Sequence, residues 1–206
     1  MPDLFRGAAR RLDDEDLPRI GAEIGVGEDE LHTVLDVECR GSGFDRSGRV
    51  AMLFEPHIFW RELGSGPARS IAAREQLACQ RWGQFKYPSD SYPRLLVAME
   101  IDKDAALRSA SWGLGQVMGF NHGLAGYRSA EEMVAAFAQD EENQLRGMVS
   151  FIAKTHLADA LRKHDWAGFA CGYNGAGYAS HGYHTRLAAR YAFWKGKPDT
   201  PWKRSA

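Results

Sequence analysis

Apolar side chains recur along this chain mostly at helical spacing, and the interruptions of that spacing divide it into elements. Leu31, Val34 and Leu35 fall at i, i+3 and i+4, which predicts a helix over Glu28 to Cys39. An earlier helix is expected from Asp13 to Ile24, opened by acidic capping residues and closed by Gly25 to Gly27. From Arg69 onward helices dominate. Ile71, Ala78, Trp82 and Phe85 share one predicted face, and Tyr92, Leu95, Leu96 and Met99 repeat at i, i+3, i+4 and i+7. The clearest stripe is Leu145, Met148, Val149 and Ile152, on a long helix from about Asp140 to Thr155, and Tyr183, Leu187, Tyr191 and Trp194 mark a last one. The one convincing strand signal lies in Gly43 to Phe54, where Phe44, the turn Asp45-Arg46-Ser47-Gly48 and the run Val50 to Phe54 predict a small β-hairpin. A short helix starting near Pro56 and running through Leu63 follows it. The expected fold is mainly α with a small β-hairpin, in one domain over 1–206 with its core at about 13–194.

One position breaks the pattern. Glu38 occupies the i+7 place on the inward face of the second helix, where a hydrophobe belongs, and Cys39-Arg40-Gly41-Ser42-Gly43 reads as the end of that helix. Partial burial and the negative end of the helix dipole both disfavour the ionised carboxylate, which suits a group that donates a proton near neutral pH. The alternative is a helix-terminal carboxylate that swings to solvent or pairs with Arg40. Two further carboxylates come within reach if the hairpin folds back over the helix end: Glu55, the preferred partner, and Asp45, which serves equally well as a turn former. Glycoside hydrolysis pairs an acid with a second carboxylate about 5 Å away for retention and roughly 6.5–9.5 Å away for inversion.

Two glycine-punctuated segments add candidate sugar contacts. In Ser111 to Gly119, glycines on either side of Leu114 allow close approach of backbone to a ligand; Trp112, Gly115 and Gln116 are the candidates, Gln116 offering both a donor and an acceptor. In Phe169 to Tyr178, Tyr173 supplies an aromatic face and Asn174 an amide, although Tyr173-Asn174-Gly175 also reads as a plain helix C-terminus.

Composition narrows the function classes. The 206 residues carry 26 Lys and Arg against 27 Asp and Glu, with 26% charged and 44% apolar residues, an ordinary soluble balance that gives no sign of a nucleic-acid partner. Only the ends are basic: the last twelve residues, with Lys195, Lys197, Lys203 and Arg204, are net +3 and the first twelve, with Arg6, Arg10 and Arg11, net +2. Such ends are expected to be solvated or to touch an anionic envelope. Three scattered cysteines, Cys39, Cys79 and Cys171, argue against a disulfide framework. No signal-peptide stretch or membrane span is read in the sequence, so synthesis in the cytoplasm is expected. No HExxH or other zinc spacing accompanies His181 and His184, and Cys39 lacks a basic partner, so neither a metal, a cofactor nor a thiolate nucleophile is expected.

Together these segments resemble the phage and prophage peptidoglycan N-acetylmuramidases, whose domain follows V-E-x-x-G-x-G-F, a hairpin, and then L-F-E-x-H-x-F-W. Here the pattern reads Val37-Glu38-Cys39-Arg40-Gly41-Ser42-Gly43-Phe44 and Leu53-Phe54-Glu55-Pro56-His57-Ile58-Phe59-Trp60. The resemblance continues through Ala110 to Gly119 and Tyr173-Asn174-Gly175, covering roughly Asp13 to Trp194. More distantly, the order of a Glu at a helix end, G-L-x-Q and Y-N is similar to goose-type lysozymes and soluble lytic transglycosylases. The resemblance implies a lysozyme-like α+β fold with Glu38 as catalytic acid and Gln116, Tyr173 and Asn174 in a glycan cleft. It implies an endolysin that cleaves peptidoglycan glycan strands; a monomer suits such a diffusing hydrolase, and the missing signal-peptide stretch suggests release through a separately encoded membrane lesion. Family members often have a small residue where Cys39 stands, and many carry a separate wall-binding domain not seen here. The same residues are compatible with a lytic transglycosylase or a non-catalytic glycan-binding protein; a peptidoglycan amidase would need a metal.

Overall fold

The computed structural model describes residues 4–38 and 41–202; Cys39, Arg40, Lys203 and Arg204 lie outside the described residues. Helix α1 (Asp16–Gly21) runs into a 3-10 turn (Ala22–Ile24) that stops at Gly25 in the left-handed region, φ 71°. Helix α2 (Glu28–Glu38) buries Leu31, Val34 and Leu35 as its periodicity requires. Helices α3 (Pro56–Glu62), α4 (Pro67–Arg74) and α5 (Tyr92–Ile101) each begin with proline in the first turn, where the missing N–H costs nothing. Next come α6 (Lys103–Arg108), α7 (Ala130–Phe137), α8 (Glu141–Lys154), α9 (Ala158–Arg162), α10 (Trp166–Asn174) and α11 (Tyr183–Trp194).

The central brace is α8, opened by Asp140, whose carboxylate accepts the Asn143 N–H at 2.7 Å. Its stripe of Leu145, Met148, Val149 and Ile152 is buried as expected. Gln144, wholly buried between those residues, donates to the carbonyls of Gly43 (3.2 Å) and Phe137 (2.9 Å) and accepts the Leu114 N–H (2.8 Å). Glu141, one turn earlier, accepts the backbone N–H groups of Leu12 (3.1 Å) and Gly43 (2.8 Å) and pairs with Arg11 (2.8 Å). A side chain at Gly43 would collide with the Gln144 amide, so the second glycine of the G-x-G-F motif makes room for this brace.

The β element departs from the expected hairpin. The turn forms: Phe44 bridges Val50, and Asp45 N–H donates to the Arg49 carbonyl at 2.8 Å. Strand β1 (Met52–Phe54), however, pairs antiparallel with β2 (Ala110–Trp112), and β2 with β3 (Val117–Met118). The order β1-β2-β3 is thus assembled across α3 to α6 and the loops between them, and strands of two or three residues leave no period for a sequence pattern to reveal.

Two helical expectations also change. After Arg74 the chain leaves the helix, and Trp82, placed by periodicity on a buried face, is 64% exposed; Leu96 on α5 is exposed as well. The N-terminal arginines do not hang free: Arg10 pairs with Asp140 at 2.9 Å and Arg11 with Glu141, pinning the N-terminal arm to the start of α8. Lys195 and Lys197 lie over the rings of Tyr191 and Phe193. No helix among the described residues is long and apolar enough to cross a membrane.

Candidate active site

Glu38 is the last residue of α2, and that helix end is fixed from behind by α11. Asp36 accepts the Arg190 guanidinium (2.7 Å) and the Trp194 indole N–H (2.7 Å), while the Trp194 ring stacks on His32 with centroids 3.9 Å apart. The Glu38 carboxyl accepts a 2.9 Å hydrogen bond from the Asn174 amide, at the end of α10. Shielding from water pushes the Glu38 pKa up; the Asn174 hydrogen bond and the nearby Arg186 charge pull the other way but only partly offset it. The oxygen of the same carboxamide, Asn174 Oδ1, is buried without a partner. That leaves a buried acceptor with no donor of its own on the amide that holds the acid.

Glu38 opens onto a pocket of about 130 Å³ whose walls include Ser42, Met52, Leu53, Pro88, Ser91 and Gln116. Glu38 is the only ionisable side chain among the described residues that line it. Gln116 adopts a left-handed backbone, φ 46°, that turns its side chain back over the loop: Oε1 accepts from the Ser111 hydroxyl (2.9 Å) and Nε2 donates to the Gly113 carbonyl (2.9 Å). One lone pair and one N–H of its amide stay available to a ligand.

The remaining candidates divide by position. Tyr173 packs its ring on Phe169 and Phe151 and donates its hydroxyl to the Gly115 carbonyl at 2.6 Å, a strut between α10 and the Gln116 loop. A Cβ on Gly115 would come within 2.7 Å of Met148, so this glycine lets the loop lie against α8. Trp112 has no surface to offer a sugar: it is wholly buried, stacked on Phe5 and donating its indole N–H to the Leu107 carbonyl at 3.0 Å. It is the large apolar group of a core-facing strand position.

The two further carboxylates meet opposite environments. Asp45 is absent from the Glu38 pocket; it accepts from Ser47 and pairs with Arg49 at 2.7 Å. Burial pushes its pKa up, but these hydrogen bonds outweigh that and hold it below the ordinary value. Glu55 has extended backbone just beyond β1 and so continues its alternation: Phe54 points into the core, whereas Leu53 and Glu55 share the face that carries Ser111 and Gln116. Its carboxyl accepts the Tyr87 hydroxyl and lies 3.2 Å from His57 Nδ1. Burial raises its pKa, partly countered by Tyr87. Burial and then the Arg61 charge lower that of His57, favouring the neutral ring. Tyr87, Pro88, Ser91 and Arg186 carry no periodic or motif signal and escaped the sequence reading; the turn-forming run Pro88-Ser89-Asp90-Ser91 was their only mark.

A family model described as N-acetylmuramidase matches residues 28–195. The chain belongs to the N-acetylmuramidase family. That membership makes it a glycoside hydrolase of the muramidase type, and the match begins at the first residue of α2 and ends just past α11, enclosing every element of the site. Among solved structures, the muramidase is similar to an endolysin of Burkholderia phage AP3, with TM-score 0.80 and 33% identity over 91% of this chain and 73% of that one. No curated protein matches its sequence. Among the described residues no group of three or more His, Cys, Asp or Glu is arranged to hold a metal ion.

Proposed function

We propose that the protein is an endolysin that hydrolyses the β-1,4 bond between N-acetylmuramic acid and N-acetylglucosamine in peptidoglycan, with Glu38 as general acid. The observation that carries this reading is the state of Glu38: a shielded carboxyl, raised in pKa and oriented by Asn174, as the one ionisable group on the described walls of its pocket. A protonated Glu38 donates its proton to the glycosidic oxygen as the bond to the anomeric carbon breaks, and water adds to the oxocarbenium-like carbon. Gln116 lines the pocket beside Glu38, and the free lone pair and N–H of its amide suit an acetamido group or hydroxyl of the bound sugar. Glu55, on the Gln116 side of the sheet, is the candidate second carboxylate, orienting water or facing the developing positive charge. The protein acts on the wall as a monomer, with peptidoglycan glycan strands as its partner.

One observation favours a second reading. The Glu55 carboxyl is already engaged by the Tyr87 hydroxyl and lies beside His57, which leaves it fewer lone pairs for an attacking water. A lytic transglycosylase needs only the acid: a muramic-acid hydroxyl takes the place of water and leaves a 1,6-anhydro end. Mass spectrometry of fragments released from purified peptidoglycan separates the two. Reducing muramic-acid ends from wild type, absent with Glu38→Gln, support the hydrolase; anhydro ends support the transglycosylase; no new glycan ends from wild type would sink both. Glu55→Gln with near-normal turnover would remove Glu55 from the mechanism.

A further inference from the structure

The loop at 75–91 and the segment at 175–182 approach the acid from different parts of the chain. The first supplies Pro88 and Ser91 to the Glu38 pocket and, through Tyr87, holds Glu55. The second starts directly after Asn174, which holds Glu38, and leads into α11 with Arg186. The two segments meet at one aromatic contact: Trp82 and His181 lie edge to face, centroids 6.2 Å apart and rings inclined at 68°. Trp82 is otherwise unused by the fold, with 64% of its surface in solvent. It also borders a second, wide pocket of about 660 Å³ whose lining includes the rings of Trp60 and Phe85, the carboxamides of Gln80 and Gln84 and the Arg81 guanidinium. One segment thus lines both hollows, Pro88 to Ser91 beside the acid and Gln80 to Phe85 beyond it.

An exposed indole costs solubility and here contributes nothing to the core, so its surface is available for a ligand. Sugar rings present flat C–H faces that pack on aromatic faces, while their hydroxyl and acetamido groups need the amides that Gln80 and Gln84 offer. We propose that Trp82 is a stacking platform for an N-acetylhexosamine in an outer subsite of the glycan cleft, away from the scissile bond, and that His181 is a positioning residue that holds the indole across the cleft. The proposal rests on the glycan-cleaving reading of the Glu38 site. A polymer reaching from Glu38 to Trp82 gains the contact; a disaccharide bound at Glu38 does not.

Calorimetric titration of soluble peptidoglycan glycan strands of defined length into Glu38→Gln, with and without Trp82→Ala, tests this apart from turnover. Long strands are expected to bind about five- to tenfold more weakly without the indole, as loss of one aromatic stacking contact implies. A disaccharide should bind equally well to both, Trp82→Phe should restore most of the affinity, and His181→Ala should cost about two- to threefold, since it removes orientation and not the platform. Thermal midpoints should not change. Equal affinity of long strands with and without Trp82, or an equal loss for the disaccharide, overturns the proposal. If wild type releases no new glycan ends while Trp82→Ala still weakens strand binding, the catalytic reading fails and the platform stands. Normal release with unaltered strand affinity has the opposite meaning, and no strand binding at all overturns both.

Discussion

Glu38 and Asp45 sit seven residues apart in the chain, and the protein treats them in opposite ways. Glu38, at a helix end, is shielded from water and given one amide donor, so its pKa rises. Asp45, in the hairpin turn, is given the Ser47 hydroxyl, two backbone N–H groups and the Arg49 guanidinium, so its pKa falls. The difference lies in donors, not in burial alone: a carboxylate that is fully solvated by protein groups becomes part of the scaffold, and one that is under-solvated becomes a proton donor. Between them, Glu141 and Gln144 of α8 hold the connecting Gly43 in place, so the two environments are built on one rigid support.

The largest effect that can break this contrast is at the acid. Glu38→Gln should lower turnover by about 10²–10⁴-fold, the range of a lost general acid, in a glycan-release assay. It should also raise the thermal midpoint at neutral pH. The folded-state pKa of Glu38 is raised, so the native protein holds its proton more tightly than the unfolded chain, and stability falls as pH rises above the unfolded value. The stabilisation by Gln should therefore vanish in melts at pH below about 4, where the carboxyl is protonated in both states. Cutting the support comes next: Gln144→Leu strands the Leu114 N–H and two carbonyls and should cost about 2–4 kcal/mol in denaturant unfolding.

A smaller and sharper change comes from the donors around the acid. Asn174→Ala removes a hydrogen bond that favours ionised Glu38, so the acid's pKa rises further and the alkaline limb of the pH–rate profile moves to higher pH. Turnover at the optimum should drop about tenfold as the carboxyl loses its orientation. Arg186→Met should move the same limb in the same direction by less, because its charge is the smaller influence. Smallest is the counterpart: Asp45→Asn should cost no more than about 1 kcal/mol at neutral pH, the scale of a part-exposed ion pair, and leave glycan release within about twofold. Since the Asp45 pKa is lowered, its stabilisation is present above the unfolded value and is lost as pH falls through the folded one, so the cost should disappear in acid. A large loss of turnover in Asp45→Asn would dissolve the contrast.

The long-period features were legible along the chain. The α8 stripe runs regularly along a helix of fourteen residues, and the burial of Leu31, Val34 and Leu35 follows from the same rule that made Glu38 conspicuous. The amphipathic pattern thus determined by itself that a carboxylate stands on the inward face of α2, and Gly41 and Gly43 marked the helix end nearby. It could not determine what faces that carboxylate, because Asn174 is 136 positions away and its approach depends on how α10 and α11 pack. Pairing of β1 with β2, burial of Trp112 beside Phe5, exposure of Trp82 and the hold of Tyr87 on Glu55 are likewise tertiary decisions. Periodicity reports the average environment of one face of one element. Hydrogen bonds and strand pairs between residues far apart in the chain are set by which faces meet, and that is decided only when the whole core packs.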